Sequence, residues 1–345
     1  MTKDTQYRAM MAVLSVVLLL VFFVSFACGR YSSVQISDVF QVFGHRLFGD
    51  LIPEGKREAE LVVCQLRMPR ILGAMLVGAA LSVAGASYQS LFANPIASPD
   101  TLGVSNASSF GAVLGILLGF DASLSKMVAF AFGVCTVFLV FLTAAHIDRG
   151  RKLTVNLLLI GMVVSSIFSA LLSVAKYVAD PDDQLPQITY WLMGSMSKIT
   201  MQDIKSYCIF FLIGIVPLLM LRWRMNLLSL SDEELLSIGE NSFILRVVTI
   251  LCATLLTAAS TAMTGGISWV GLIIPHMVRQ VAGMDARKIL PLSSLSGALF
   301  LLIMDDMARS ITINELPISI LTSLIGAPLF FLILLTNRGG STNDC

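Results

Sequence analysis

"LFANPIASPDTLGVSNASSFGA", residues Leu91 to Ala112, carries two prolines, Pro95 and Pro99, and a run of Gly, Ser, Asn and Ala. It stands between two long apolar runs, where a membrane protein would ordinarily place a charged loop or nothing. Those flanking runs, Met68 to Phe92 and Thr101 to Gly119, show no alternation at period two, and each is near the ~20 residues that cross a bilayer as helix. The prolines therefore break a helix at the edge of the membrane. Asn94, Pro95 and Ile96 form the turn, Ser98 is placed to cap the next helix, and Pro99 suits its first position. Gly103, Gly111 and Gly115 follow at helical spacing, a pattern for close helix packing.

The rest of the chain repeats this theme. Of its 345 residues 56% are hydrophobic and 13% charged, and the mean hydropathy is +0.84. Such a chain cannot close around one soluble core without leaving apolar surface in water, so the bilayer is its solvent and its backbone must satisfy itself in helices. Ten spans are read: Met10 to Ala27, Met68 to Phe92, Thr101 to Gly119, Met127 to Ala145, Leu153 to Tyr177, Ile204 to Leu221, Leu245 to Met263, Val270 to Val281, Leu290 to Asp305 and Ile318 to Leu335. The expected fold class is an all-α membrane protein, with one transmembrane domain over residues 1–345 and an external loop over about 30–66.

A formal net charge of +1 gives no basic field for nucleic acid. The first span follows Lys3 and Arg8 but lacks a signal-peptidase site, so it reads as an uncleaved anchor. Lys and Arg divide almost evenly between the two sides. The short basic loops "RGRK" (149–152), "RWR" (222–224) and "ARK" (286–288) fall on one side and assign it, with both termini, to the cytoplasm. Six cysteines show no metal-ligand spacing; Cys28 and Cys64 flank the outer loop, and their pairing is left open by the sequence.

There is no GxxxxGK[ST] phosphate loop, no HExxH pair and no GxSxG elbow, so no catalytic residue, metal or cofactor is expected and any driving energy comes from another chain. The spans are nearly free of ionisable groups; His276 with Arg279, and Asp305, Asp306 and Arg309, are the exceptions near span ends. A carrier driven by protons or sodium would place a carboxylate at mid-membrane. The longest loop between the later spans, "MNLLSLSDEELLSIGENSF" (225–243), reads as a short amphipathic helix with Ser231 as cap, Glu234 at the capping-box position and Gly239 as terminator. Its apolar face and acidic tip suit a groove on a soluble partner better than an anionic leaflet.

Six stretches in fixed order carry a family resemblance: residues 66–112, 153–172 ("LTVNLLLIGMVVSSIFSALL"), 187–196 ("QITYWLMGSM"), 225–239, 265–279 ("GGISWVGLIIPHMVR") and 314–334 ("NELPISILTSLIGAPLFFLIL"). Together they resemble the FecCD-type permeases, membrane subunits of type II ABC importers for iron chelates, haem and vitamin B12. The resemblance implies ten membrane helices, a second permease copy as homodimer, a cytoplasmic ABC ATPase dimer, an external substrate-binding protein and a location in a bacterial or archaeal cell membrane. It implies a cytoplasmic gate at Asn94, Ile96, Thr154 and Val155. ATPase coupling falls to two short helices over about 229–242, with Ser231, Asp232, Glu233, Glu234, Leu235, Leu236 and Gly239. Arg67, Arg70 and Arg309 would dock the binding protein, with Asp305 and Asp306 holding Arg309 outward. A ferric siderophore is the expected cargo, ahead of haem and cobalamin; a secondary transporter is the reading from another class.

Overall fold

A computed structural model describes residues 3–29, 36–48, 57–147, 153–230, 232–237, 239, 242–312 and 315–338. Every regular element among them is helical: α1 (Lys3–Ser25), α2 (Ile36–Phe48), α3 (Arg57–Leu61), α4 (Met68–Leu91), α5 (Val104–Leu117), α6 (Ala122–Ile147), α7 (Leu153–Val178), α8 (Gln184–Leu192), α9 (Met201–Met220), α10 (Asp232–Ser237), α11 (Ser242–Thr264), α12 (Val270–Ala282), α13 (Ala286–Ser310) and α14 (Ile318–Arg338). A π-turn, Val62–Arg67, joins α3 to α4, and 3-10 turns occupy Pro99–Leu102 and Arg224–Ser229.

Among the described residues seven helices are long and apolar enough to span a membrane, and three shorter apolar helices, Val104–Leu117, Val270–Ala282 and Ile318–Ile333, complete a set that matches the ten expected spans one for one. Two boundaries move. The second span is the end of a 35-residue helical run, Arg57–Leu91. The expected outer loop is therefore helical at all of its described residues. The third span is divided at Gly103 into a 3-10 turn and α5.

α4 is the axis of the bundle, packed against α13 along its length and against α9, α11 and α12. Its small residues allow this. A Cβ on Gly85 would fall 1.7 Å from the Gly271 carbonyl oxygen, and one on Gly78 would fall 2.2 Å from that of Gly297. Backbones at that separation admit no side chain, which is how membrane helices gain packing where lipid is as apolar as leucine. α5 and α6 use the same device, with Gly111 against Val128 and Ala129 and Gly115 against Ser125. Several buried hydroxyls are satisfied within the bundle: Ser87, Thr249, Thr257 and Thr264 donate to carbonyls one turn earlier, and the Tyr88 and Thr254 hydroxyls pair at 2.8 Å.

Side-chain pairs sort the helix ends onto two faces. Lys288 Nζ meets Asp4 Oδ1 at 2.9 Å and Asn226 Nδ2 donates to Asp285 Oδ1 at 2.8 Å, so the starts of α1 and α13 share the first face with the 224–229 turn. The end of α1, the start of α4 and the end of α13 meet on the second face through Ser25, Phe26, Arg67, Arg70 and Arg309. Cys28 and Cys64 on that side are both free thiols.

Candidate functional site

The opening segment makes a tight non-helical turn on the first face. α4 stops at Leu91, Ala93 turns the chain with φ at +46°, and Asn94 N–H donates back to the Gln89 carbonyl at 3.1 Å. A non-glycine residue in that left-handed region costs about 1 kcal/mol, so other bonds must hold the turn. Asn94 Oδ1 accepts from Ile96 N–H at 3.0 Å, and Asn94 O accepts from Ala97 N–H at 3.1 Å. Thr101 Oγ1 accepts from Ser98 N–H at 2.9 Å and donates to the Ser98 carbonyl at 2.6 Å. Pro99 opens the 3-10 turn, as its place in the sequence predicts, and its ring lies over Gly271. Gly103, with φ at +76°, then redirects the chain into α5; a Cβ there would be 3.0 Å from Ser165 N of α7. The turn is thus pinned at its root, while Asn94, Pro95 and Ile96 are exposed, Ile96 at 64%.

α7 supplies the other half of the expected gate. It packs against the turn through Gly161, whose Cβ would sit 2.6 Å from the Thr101 carbonyl, and Asn106 Nδ2 donates to Ser165 Oγ at 2.8 Å. Leu157, Gly161, Val164, Leu172 and Ala175 form its buried stripe. The opposite stripe, Val155, Leu159, Met162, Ser166, Ala170, Ser173 and Tyr177, faces outward. That stripe changes character along its length: large and apolar near the first face, then small at Ser166, Ala170 and Ser173 before it ends at the exposed Tyr177, with Val163, Ile167, Leu171 and Val174 exposed on its flanks. Val155 is 52% exposed on it. The structure brings the elements carrying Asn94, Ile96 and Val155 together; the Thr154 side chain lies outside the described residues.

The acidic loop folds into two short helices, the 3-10 turn Arg224–Ser229 and α10. Leu235 is buried against α11, Glu234 is exposed, and Gly239 takes a left-handed conformation at φ +75° as a terminator. Ser231 lies outside the described residues, as do the side chains of Asp232, Glu233 and Leu236. Asn226 was missed by the sequence reading. Its Oδ1 accepts from Ala286 N–H at 2.7 Å, while Asp285 caps α13 by accepting from Arg287 N–H at 3.0 Å. Burial opposes ionisation of Asp285, but hydrogen bonds from Asn226 and Arg287 outweigh it and hold the carboxyl below its ordinary range.

On the second face the arginines depart from expectation. Arg67, Arg70 and Arg309 are 4%, 8% and 4% exposed and turn into the protein. Arg70 Nε reaches both oxygens of Asp305 at 2.8 and 2.9 Å, and its Nη1 meets Glu315 Oε2 at 2.9 Å. Arg309 flanks Asp305 at 3.7 Å, pairs with Asp306, and donates to the Ser25 carbonyl at 2.8 Å. Arg67 donates to the Phe26 carbonyl. The acids hold Arg309 inward, not outward, because a fully buried Asp305 needs cations around it. Arg67 and Arg70 lie within a helical run that continues back to Arg57, so the dipole of an N-terminus does not act on them.

The model of the FecCD transport family matches residues 17–336. The chain belongs to the FecCD transport family. FecCD permeases are membrane subunits of ABC importers, not enzymes themselves; ATP hydrolysis lies in a separate subunit, and a substrate-binding protein completes the importer. The chain is 37% identical over 344 residues to the molybdate import system permease protein MolB of Haemophilus influenzae, covering 99% of this chain and 100% of that one. It is 37% identical over 279 residues to a "probable iron chelatin transport system permease protein" of Helicobacter pylori strain 26695, covering 81% and 84%. A solved ABC transporter in an inward-facing conformation, described as of metal-chelate type, superposes with a TM-score of 0.84 at 36% identity over 95% of this chain and 99% of that one.

Proposed function

We propose that this FecCD permease pairs with a second copy of itself in a cell membrane, first face to the cytoplasm, and conducts an iron chelate, a ferric siderophore, handed over by an external binding protein. The observation that carries the path is the outward stripe of α7. The small residues Ser166, Ala170 and Ser173 leave room there, the Ser173 hydroxyl donating to the Ser169 carbonyl of its own helix at 3.0 Å, and the apolar end at Val155 lies on the element that meets the exposed Asn94–Ile96 turn. Two copies facing each other across that stripe would enclose a wet path closed at one end by Asn94, Ile96, Thr154 and Val155. The 224–239 segment, with Ser231 through Leu236 and Gly239, takes the ATPase. Docking through Arg67, Arg70 and Arg309 carries a condition set by the burial above: carboxylates of the binding protein must displace Asp305, Asp306 or Glu315.

Reconstitution of the permease with its ATPase and binding protein, supplied in turn with iron-55 siderophore, labelled haem, cobalamin and molybdate, tests the reading. ATP-dependent accumulation of the siderophore is the expected result. Haem or cobalamin accumulation moves the cargo within the chelates, molybdate alone removes the chelate assignment, and uptake without ATP or partners makes the protein a secondary carrier. Cysteines at Asn94, Ile96 and Val155 that cross-link between copies and block uptake reversibly support the gate; cysteines that label only from lipid remove it.

A further inference from the structure

α13 is gripped at both ends by residues distant in sequence. At the first face the Asn226 amide closes a two-point bond with its first turn, Oδ1 to Ala286 N–H at 2.7 Å and Nδ2 to Asp285 Oδ1 at 2.8 Å. Its orientation is forced, because a flipped amide would set NH2 against N–H and oxygen against carboxylate. The same carboxylate binds Arg287 N–H at 3.0 Å, and Lys288 next to it pairs with Asp4 of α1. Asn226 lies in the turn that precedes α10, and that turn is itself seated on α4 and α13 by buried Met225 and Leu228. A helix of 25 residues rises about 37 Å, enough to cross the bilayer, and α13 is continuous over that length although Pro291 omits one bond of its ladder, so it joins the two faces mechanically. Its far end holds Asp305 and Arg309, and between the two it touches α4 at the Gly78–Gly297 contact.

We infer that Asn226 and Asp285 are positioning residues that form the joint delivering movement of the 224–237 segment to α13, which carries it to the Arg70–Asp305–Arg309 cluster on the opposite face. The joint suits transmission. Two convergent bonds to a helix start resist rotation as well as separation, whereas apolar packing alone lets short helices slide. This rests on the reading of the 224–239 segment as the ATPase contact. The two fail differently: Glu234→Lys, at an exposed position of α10, tests the contact by release of the ATPase, and the joint is tested with the ATPase still bound.

The experiment uses the full complex in nanodiscs, with other cysteines replaced and spin labels at Ser310, the exposed end of α13, and Tyr177, the exposed end of α7. Trapping with ATP and vanadate should shift the Ser310–Tyr177 distance in the parent. Asn226→Leu should keep its ATPase on purification yet reduce the shift at least fourfold. Asn226→Asp alone sets two carboxylates face to face and should do the same. The exchange Asn226→Asp with Asp285→Asn restores an amide–carboxylate pair with its donor on the other side and leaves the Ala286 N–H bond as it was; because Asp285 Oδ1 meets both residue 226 and Arg287 N–H, an amide there keeps one of those two bonds, and the exchange should restore part of the shift. An undiminished shift in Asn226→Leu overturns the joint. So does an exchange variant that stays unresponsive, or a parent whose α13 end does not move.

Discussion

α4 and α7 are both apolar helices of membrane-spanning length, yet 83% of the most apolar window of α4 is buried within the chain and only 22% of that of α7. The sequences explain the contrast. α4 places Gly, Ala and Ser on every side, so α9, α11, α12 and α13 approach it around its circumference, and it serves as a fixed post. α7 meets its neighbours in this chain through Gly161 and Ser165, and turns Val155 through Tyr177 to whatever lies beyond this chain. A single permease is thus half scaffold and half unfinished surface.

The largest effect that could break this comparison comes from Gly85. Gly85→Leu places a side chain where the Gly271 carbonyl stands, and neither backbone can retreat without undoing α4, α12 and α13 together. Folded permease recovered from membranes should fall at least tenfold. Ala170→Leu on α7 should leave recovery within twofold. Equal yields for the two would mean that α4 is no more a scaffold than α7.

Next in size is the charge cluster that ties the scaffold at the second face. Arg70→Leu leaves Asp305 buried with Arg309 alone and should cost about 3–5 kcal/mol, the usual result of stripping one partner from a buried pair. Thermal unfolding in detergent measures it. Asp305→Leu added to Arg70→Leu should recover part of that loss, since two leucines leave less buried charge unpaired. A double variant worse than the single would show that the acid has a second role.

The third prediction sharpens the α7 side. In a cysteine-free background, cysteines at Ser166, Ala170 and Ser173 should react with a charged thiol reagent at least tenfold faster than cysteines at Ile167 and Val174, which are equally outward but lie on the flank of the stripe. Uniform slow reaction along both lines would return the whole surface to lipid.

The pattern of what could be read beforehand follows the same division. All ten spans were legible because hydropathy over a window near 20 residues is a local property. The 94–103 turn was legible because proline and glycine act on their own backbone. α2 and α8 were passed over, the one amphipathic, the other nine residues long and too short for such a window. The direction of the arginines was not legible: Arg70 finds Asp305 and Glu315 across 235 and 245 positions of chain, and only the local pairing of Arg309 with its neighbouring acids could be anticipated. Asn226 was hidden for the same reason, 59 positions from its partner, although Asp285 before "ARK" was a visible helix cap.

The smallest expected effect lies at that cap. Because Asp285 is held below its ordinary range when folded, the stability it lends the start of α13 is present above the unfolded-state value, near 4, and is lost as pH falls through the lower folded value. Burial, the largest single influence, raises the carboxyl against this but is outweighed by the hydrogen bonds from Asn226 and Arg287 together; Asp4, the other carboxylate near the joint that is held low, caps no amide of α13. Hydrogen-exchange protection of the Ala286 and Arg287 amides, corrected for intrinsic rate, should be flat from pH 8 to 5. It should drop a few-fold toward pH 3. The Asp285→Asn variant, which has no proton to take up, should show a lower but level profile over the whole range. A drop of the same size in that variant would place the titrating group elsewhere, in the Asp4–Lys288 pair of α1, and the start of α13 would then be steadied by its packing on α1 more than by its cap.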